Sequence, residues 1–415
     1  MALAIFLLTY VFIAGVRLPF LKLDRPGGAL LGAVLMVVFG VVSPDEVFNH
    51  SEDPSRHAVD MNTLVLLLGM MLLAAYMAQA EFFRTAGAYT VRLAHTPRLL
   101  LAAVAGISAL LSAFLVNDTV CLMLTPLVLA VVEDARLPPV PYLLAVCMGS
   151  NSGSVATFTG NPQNMLIQGA SKLSYASFAA YMALPALLAT GIVIGALLYL
   201  FKQDLRGERF EAHPAPPPVD RPLLALTMTV LLGVVVAFFA GLPMSWSALA
   251  GAAVVMTLAR REPRALLERV DFVLLLFFAS LFVVVYGVNK HGWATEIRAL
   301  FAPLMTGPAW RETVGFAGLT LVASNLFSNV PFVMLARSWV PTLQNPELGW
   351  HVLALCSTLA GNLTLIGSVA NLIVFEAARD KVRMTFMAYL RIGLPVTLLS
   401  FGVGLAVLLA EHSLF

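Results

Sequence analysis

The sequence predicts an all-α polytopic membrane protein, built as two inverted repeats of five transmembrane helices plus one re-entrant hairpin each, with helices broken at mid-membrane. Three observations predict it. The 415 residues are 60% hydrophobic and 12% charged, with a mean hydropathy of +0.88. Soluble domains carry about 25% charged residues. Ten apolar segments approach the ~20 residues that cross a bilayer core. The pattern T-x-x-G-x-x-x-N occurs at Thr157–Asn164 and again at Thr364–Asn371, each time inside an apolar run.

The ten segments are 2–20, 26–43, 61–80, 140–168, 177–201, 222–240, 246–260, 271–289, 350–378 and 391–411. The first lacks a basic leader and a cleavage site, so it reads as a retained helix. Stretches 97–134 and 308–342 are apolar but interrupted by polar residues. Each reads as a re-entrant hairpin, because the second arms Val120–Val132 and Phe332–Val340 look short; two full crossings each would preserve the same topology. Segments 81–94 and 384–390 suit the interface.

Linker 202–221 contains His213-Pro-Ala-Pro-Pro-Pro218, an extended spacer. It separates repeat 1 (1–201, hairpin 97–134, broken helix 140–168) from repeat 2 (222–415, hairpin 308–342, broken helix 350–378). Five crossings per half is odd, so the second half enters the membrane in the opposite direction. The hairpin tips Asn117-Asp118-Thr119 and Ser328-Asn329 correspond, as do Asp60 and Asp271 at the starts of the third crossings. With both termini outside, the linker is cytoplasmic, and every Lys and Arg falls inside except Arg56, Lys172, Lys290, Arg298, Arg311 and Arg337. That bias favours N-out, C-out in a bacterial-type inner membrane.

Chemistry concentrates at the breaks. A broken helix frees N–H groups at one end, which attract anions, and C=O groups at the other, which coordinate cations. Thr157, Gly160, Asn161 and Asn164 form the first break, and Thr364, Gly367, Ser368 and Asn371 the second. Asn117, Asp118, Thr119, Ser328 and Asn329 complete the candidate ion- and substrate-binding set. A carboxylate is costly within the bilayer, which makes Asp118 the coupling candidate; the bland alternative is a helix cap. Asparagines also serve as caps or interhelical bridges, and threonines bond their own helices. Asp60 and Asp271 read as caps, and the histidines, most of them at loops and segment ends, as surface residues.

The three cysteines form no CxxC pair, so neither a disulfide framework nor a thiolate metal site is expected. There is no HExxH, phosphate loop or GxSxG elbow, and Asn151-Ser-Gly-Ser154 lacks a histidine partner, so an enzyme is not expected. No cofactor, metal or nucleic-acid partner is expected beyond H+ or Na+ as coupling ion, the latter at the hairpin tips.

These motifs resemble the ion transporter superfamily: arsenite permeases, the P-protein, sodium/proton antiporters and divalent anion/sodium symporters. Asn117-Asp118 followed by Leu124-Thr125-Pro126 is similar to the first hairpin of arsenite permeases. Ala156-Thr157 with Gly160, Pro162 and Asn164 resembles the A-T-x-x-G-x-P-x-N signature of the P-protein and anion-permease branches. Ser328-Asn329-Val-Pro331 and Thr364-Leu-Ile-Gly367-Ser368 resemble the matching elements of the second repeat. The symporter branch has Ser-Asn-Thr at both tips, and this chain does not. The resemblance implies a homodimer and an elevator-like motion. The expected function is secondary active transport of a small anion or oxyanion (arsenite-like, inorganic or carboxylate), coupled to H+ or Na+. A Na+/H+ antiporter is the alternative, and a passive channel a weaker one.

Overall fold

The computed structural model describes residues 1–13, 23–48, 50, 57–207 and 218–414. The linker's Pro-rich run up to residue 217, the second half of segment 2–20, and Arg17, Lys22, Glu52, Asp53, Arg56 and Arg209 lie outside the described residues.

The described residues form helices and no strands. The first half holds α1 (Ala2–Ile13), α2 (Arg25–Val38), α3 (Pro44–Val47), α4 (Met61–Gln79), α5 (Phe82–Leu93), α6 (Pro97–Phe114), α7 (Asn117–Asp134), α8 (Pro139–Ser154), α9 (Pro162–Ser171) and α10 (Tyr175–Leu200). The second holds α11 (Arg221–Phe239), α12 (Met244–Leu258), α13 (Pro263–Leu267), α14 (Phe272–Lys290), α15 (Trp293–Phe301), α16 (Ala309–Phe327), α17 (Asn329–Ala336), α18 (Pro346–Ala360), α19 (Val369–Ala377) and α20 (Phe386–Leu414). Helix starts are set by local chemistry. Asp24, Asp60, Thr96, Asp220, Asp271 and Asn345 each accept a backbone N–H three residues on, and a proline often follows. Helices α4, α6, α10, α11, α14 and α20 are long and apolar enough to cross a membrane, and α1, α2 and α12 are shorter apolar helices.

One expectation needs correction. Helix α7 runs 18 residues, as long as α6, so its arm is not short. Its helix continues from the tip through Pro126 because a proline costs only local bonds when neighbouring helices re-satisfy them. Helix α17 is short, at 8 residues, or about 12 Å. The first tip turns through the extended residues Leu115 and Val116. The second turns at Ser328 alone, at φ +70°, a conformation that strains a residue with a side chain.

Both breaks have one design. An extended threonine (Thr157, Thr364) leads into a 3-10 turn (Phe158–Gly160, Leu365–Gly367), and an extended Asn161 or Ser368 starts the next helix. At Gly160 a Cβ would lie 2.2 Å from the Ser154 carbonyl oxygen, so only glycine closes that turn without displacing backbone.

Helix contacts recur with the halves exchanged. Helix α4 packs on α12, and α2 on α14; α6 packs on α8, and α16 on α18. Likewise α8 meets α10, and α18 meets α20; α7 meets α19, and α17 meets α9. Gly149 and Gly153 let α8 approach α6 closely. Their missing Cβ atoms would sit 2.6 Å from the Ala105 oxygen and 2.1 Å from the Ala109 oxygen. Small residues at this spacing are what brings helix backbones together in lipid.

At one end of α14, Glu46 of α3 is 8% exposed. Its carboxylate accepts from Ser43 N at 2.8 Å, Lys290 Nζ at 2.9 Å and Tyr286 Oη at 3.1 Å. Burial pushes this carboxyl up, but the Ser43 N–H, Lys290 and Tyr286 outweigh it and hold it down to about 2, from 4.5. A depressed folded value means its stabilisation is complete above pH 4.5 and is lost as pH falls toward 2. Acid titration of the melting temperature should therefore show a smaller decline below pH 4.5 in Glu46→Gln than in wild type.

The surface placement expected of the histidines fails at His351. It is fully buried, stacks on Phe178, and lies 3.3 Å from His412 across α18 and α20. A neutral imidazole is flat and half apolar, so aromatic neighbours shelter it readily.

Candidate functional site

The two breaks meet in a buried network of amides and hydroxyls, and Asn151 of α8 is its centre. The Asn151 amide donates to Asn362 Oδ1 at 2.9 Å and to Asn371 Oδ1 at 3.1 Å. Its Oδ1 accepts from Asn117 at 3.1 Å and from Ser368 Oγ at 3.1 Å. One side chain thus joins the first hairpin tip to the second break. Asn362 reaches back to Ser152 Oγ at 3.3 Å. Across the same junction Asn161 donates to Thr358 Oγ1 at 3.2 Å. In the repeat alignment Asn161 corresponds to Ser368, and Thr358 to Asn151. The pair Asn161–Thr358 is therefore the counterpart of Ser368–Asn151 with halves exchanged.

Other candidates stitch the breaks. Asn164 donates to the carbonyls of Thr157 at 2.9 Å and Ser154 at 3.1 Å, seven and ten residues back. Asn371 donates to Thr364 at 3.0 Å and Gly361 at 2.7 Å, also seven and ten residues back. These bonds cross the break, where carbonyls have lost their helical partners. The threonines do not bond their own helices. Thr157 Oγ1 donates to the Ala113 carbonyl near the end of α6. Thr364 Oγ1 donates to Asn325 Oδ1 near the end of α16 at 2.9 Å. Each break is thereby pinned to the first arm of its own hairpin. Gly367 packs beneath that pin: a Cβ there would be 2.8 Å from Asn325 Oδ1.

Three acceptors in this region are left over. Asn117 Oδ1, Asn164 Oδ1 and Asn329 Oδ1 are buried without a partner. Asn329 follows Ser328 at the second tip, and its amide nitrogen lies 3.3 Å from where a Cβ of Gly361 would stand. No lysine or arginine joins the network among the described residues. The arrangement can receive a solute that donates hydrogen bonds, or a small cation, at the unpaired oxygens.

Asp118 and Thr119 point elsewhere. Although Asn117 turns into the network, its two neighbours line a cavity of about 70 Å³ against α4, together with Arg269 and Asp271. Asp118 is 9% exposed and lies in the first turn of α7, whose N-cap position is Val116, so the capping role weighed for it is not what the structure shows. Asp60 and Asp271 do cap, to Thr63 N at 3.2 Å and Leu274 N at 2.9 Å. Sequence reasoning missed Asn151, Thr358 and Asn362 as members. Their signal was present: polar residues within otherwise apolar helical runs, beside Gly153 and Gly361.

A family model described as citrate transporter matches residues 10–360. Silicon efflux transporter LSI3 of Oryza sativa subsp. japonica is 33% identical, over 93% of this chain and 93% of that one. The transporter arsB of Dictyostelium discoideum is 26% identical, over 97% of this chain and 91% of that one. Among solved structures, the YdaH transporter of Alcanivorax borkumensis matches with a TM-score of 0.62 at 19% identity, covering 98% of this chain and 95% of that one. This last likeness shows the fold.

Proposed function

The chain belongs to the citrate transporter family, and from that premise we propose that it is a secondary active transporter of a small anion or oxyanion. Membership makes it a multi-pass membrane transport protein and not an enzyme. The observation that carries the finer reading is the junction of the two helix breaks. It offers unpaired Asn oxygens beside hydrogen-bonded hydroxyls, and no cationic side chain, at the place where inverted repeats bind substrate. That chemistry suits a small hydroxylated species better than a polycarboxylate, which calls for arginine. The names of the silicon and arsB relatives agree with it.

The exchanged pairs Asn161–Thr358 and Ser368–Asn151 support inverted repeats at 1–201 and 222–415, joined by a cytoplasmic linker at 202–221. The substrate set comprises Asn117, Thr157, Asn161, Asn164, Asn329, Thr364, Ser368 and Asn371, with Gly160, Gly367 and Ser328 shaping the backbone. Asp118 carries the coupling H+ or Na+. The protein works as a homodimer in the cell membrane, termini outside, by an elevator motion of the helices around the breaks.

The test is uptake of arsenite, orthosilicate and citrate into proteoliposomes under an imposed pH or sodium gradient. Wild type should concentrate at least one solute, and Asp118→Asn should abolish the dependence on the driving gradient. Equal gradient dependence in the variant removes Asp118 from coupling. The buried carboxylate of Asp118 also favours a second reading, a Na+/H+ antiporter. Alkali-cation dilution with a pH dye and no transported anion separates them: proton flux under those conditions selects the antiporter.

A further inference from the structure

Asp118 shares its cavity with a second carboxylate that comes from a different part of the fold. Asp271 stands at the start of α14, and both acids line the same cavity of about 70 Å³ with Thr119 and Arg269. That volume holds several waters. Asp118 is nine-tenths buried, at 9% exposure, in the first turn of α7.

The repeat pairs Asp271 with Asp60, but their surroundings differ. Asp60 uses both oxygens: Oδ1 accepts from Thr63 N at 3.2 Å and Oδ2 from Thr63 Oγ1 at 3.0 Å. Arg337 stands 3.9 Å from Oδ2 as well. Asp271 uses only Oδ1, for the Leu274 N–H. Leucine occupies the place where Asp60 has a threonine, so Oδ2 of Asp271 has no local hydroxyl. It has no ion-pair partner among the described residues either.

We propose that Asp271 is the second carboxyl of the coupling site, relaying the coupling proton between Asp118 and the solution on the face that carries Arg84 and Arg269. The proposal rests on the transport reading above. A wider cavity of about 670 Å³ shares Ala78, Leu122, Met123 and Arg269 with the first, and continues past Glu81 and Arg84. The charged groups facing the pair are Arg269 and, beyond it, Glu81 and Arg84, which pair with each other at 3.2 Å. Helices α4 and α19 contribute only apolar side chains to the cavity. The proton leaves the Asp118 carboxyl, crosses water, is taken by the Asp271 carboxylate and is released to solvent; no other bond changes. Asp271 is exposed and Asp118 buried; two ionised carboxylates on one cavity repel, and a proton on either relieves that repulsion.

Asp271→Asn tests this without disturbing the helix start, because Asn caps as well as Asp. The readouts are the pH profile of uptake in sodium-free proteoliposomes and the pH dependence of melting in detergent. The expected result is a pH midpoint moved toward acid by about one unit. The melting profiles of Asp118→Asn and Asp271→Asn should lose the same inflection, and the double variant should lose no more. Asp60→Asn, whose carboxylate is saturated, should leave the midpoint in place. An unmoved midpoint in Asp271→Asn, or additive losses in the double variant, overturns the relay. If wild type moves none of arsenite, orthosilicate and citrate, the transport reading fails, and the melting cycle still decides whether the two carboxyls share a proton.

Discussion

Replacing Gly153 by alanine is expected to destabilise the protein by about 3 kcal/mol and to abolish uptake. The new Cβ would stand 2.1 Å from the Ala109 oxygen, 2.3 Å from its Cα and 2.4 Å from its carbonyl carbon. All three are backbone atoms of α6, so no side chain can turn aside. Helices α6 and α8 would have to separate. Two bonds across that contact depend on its closeness, Ser112 Oγ to Ser150 Oγ at 2.6 Å and Thr157 Oγ1 to the Ala113 carbonyl. The first break would lose its pin to the hairpin. Gly106, also in α6, supplies the control: nothing lies within 4 Å of its missing Cβ. Gly106→Ala should be neutral, or stabilising by up to about 1 kcal/mol from helix propensity. Melting in detergent measures both, and equal melting temperatures for the two variants would contradict the close-approach argument.

Asn151→Ala is expected to be the most damaging loss of a single polar side chain. It removes four hydrogen bonds at once and strands Asn117 Nδ2, Ser368 Oγ, and the Oδ1 atoms of Asn362 and Asn371. Interhelical bonds in membrane proteins average about 0.6 kcal/mol each, and a stranded buried group costs about 1–3 kcal/mol more. Water entering the vacated space recovers part of this. The net expectation is a loss of about 2–4 kcal/mol. Because the side chain connects the first hairpin tip to the second break, transport should fall further than stability alone accounts for. A fully folded Asn151→Ala protein with wild-type uptake would show that the network is not the site.

The helices were legible because their signals are local. Apolar runs of the right length, Asp and Thr caps, and prolines at first turns set the starts of α2, α4, α6 and α14. Both breaks were legible too, since Gly160 and Gly367 sit beside polar residues that cannot face lipid. The length of α7 was misjudged. Pro126 and Thr125 look like an interruption, yet the helix carries through them, with Thr125 Oγ1 bonded to the Cys121 carbonyl at 2.6 Å. His351 was misplaced because nothing in its neighbourhood of the chain announces Phe178, Tyr181 or His412, which shelter it from other helices.

By itself the amino-acid sequence determined that this chain lies in a membrane, where its helices break, and that one carboxylate sits beside a hairpin tip. Each of these follows from hydropathy, turn chemistry and the cost of polar groups in hydrocarbon, which act over a few residues. Only the tertiary structure decided what the polar groups do. Asn151 meets Asn371 across 220 positions, and neighbours Asn117 and Asp118 turn to opposite sides, one into the network and one toward Asp271. Asp60 and Asp271 differ along the chain by Thr63 against Leu274, and only the fold adds Arg337, a residue far from either in sequence, beside Asp60. Partner choice depends on which helix faces come together, and helix packing is a property of the whole molecule.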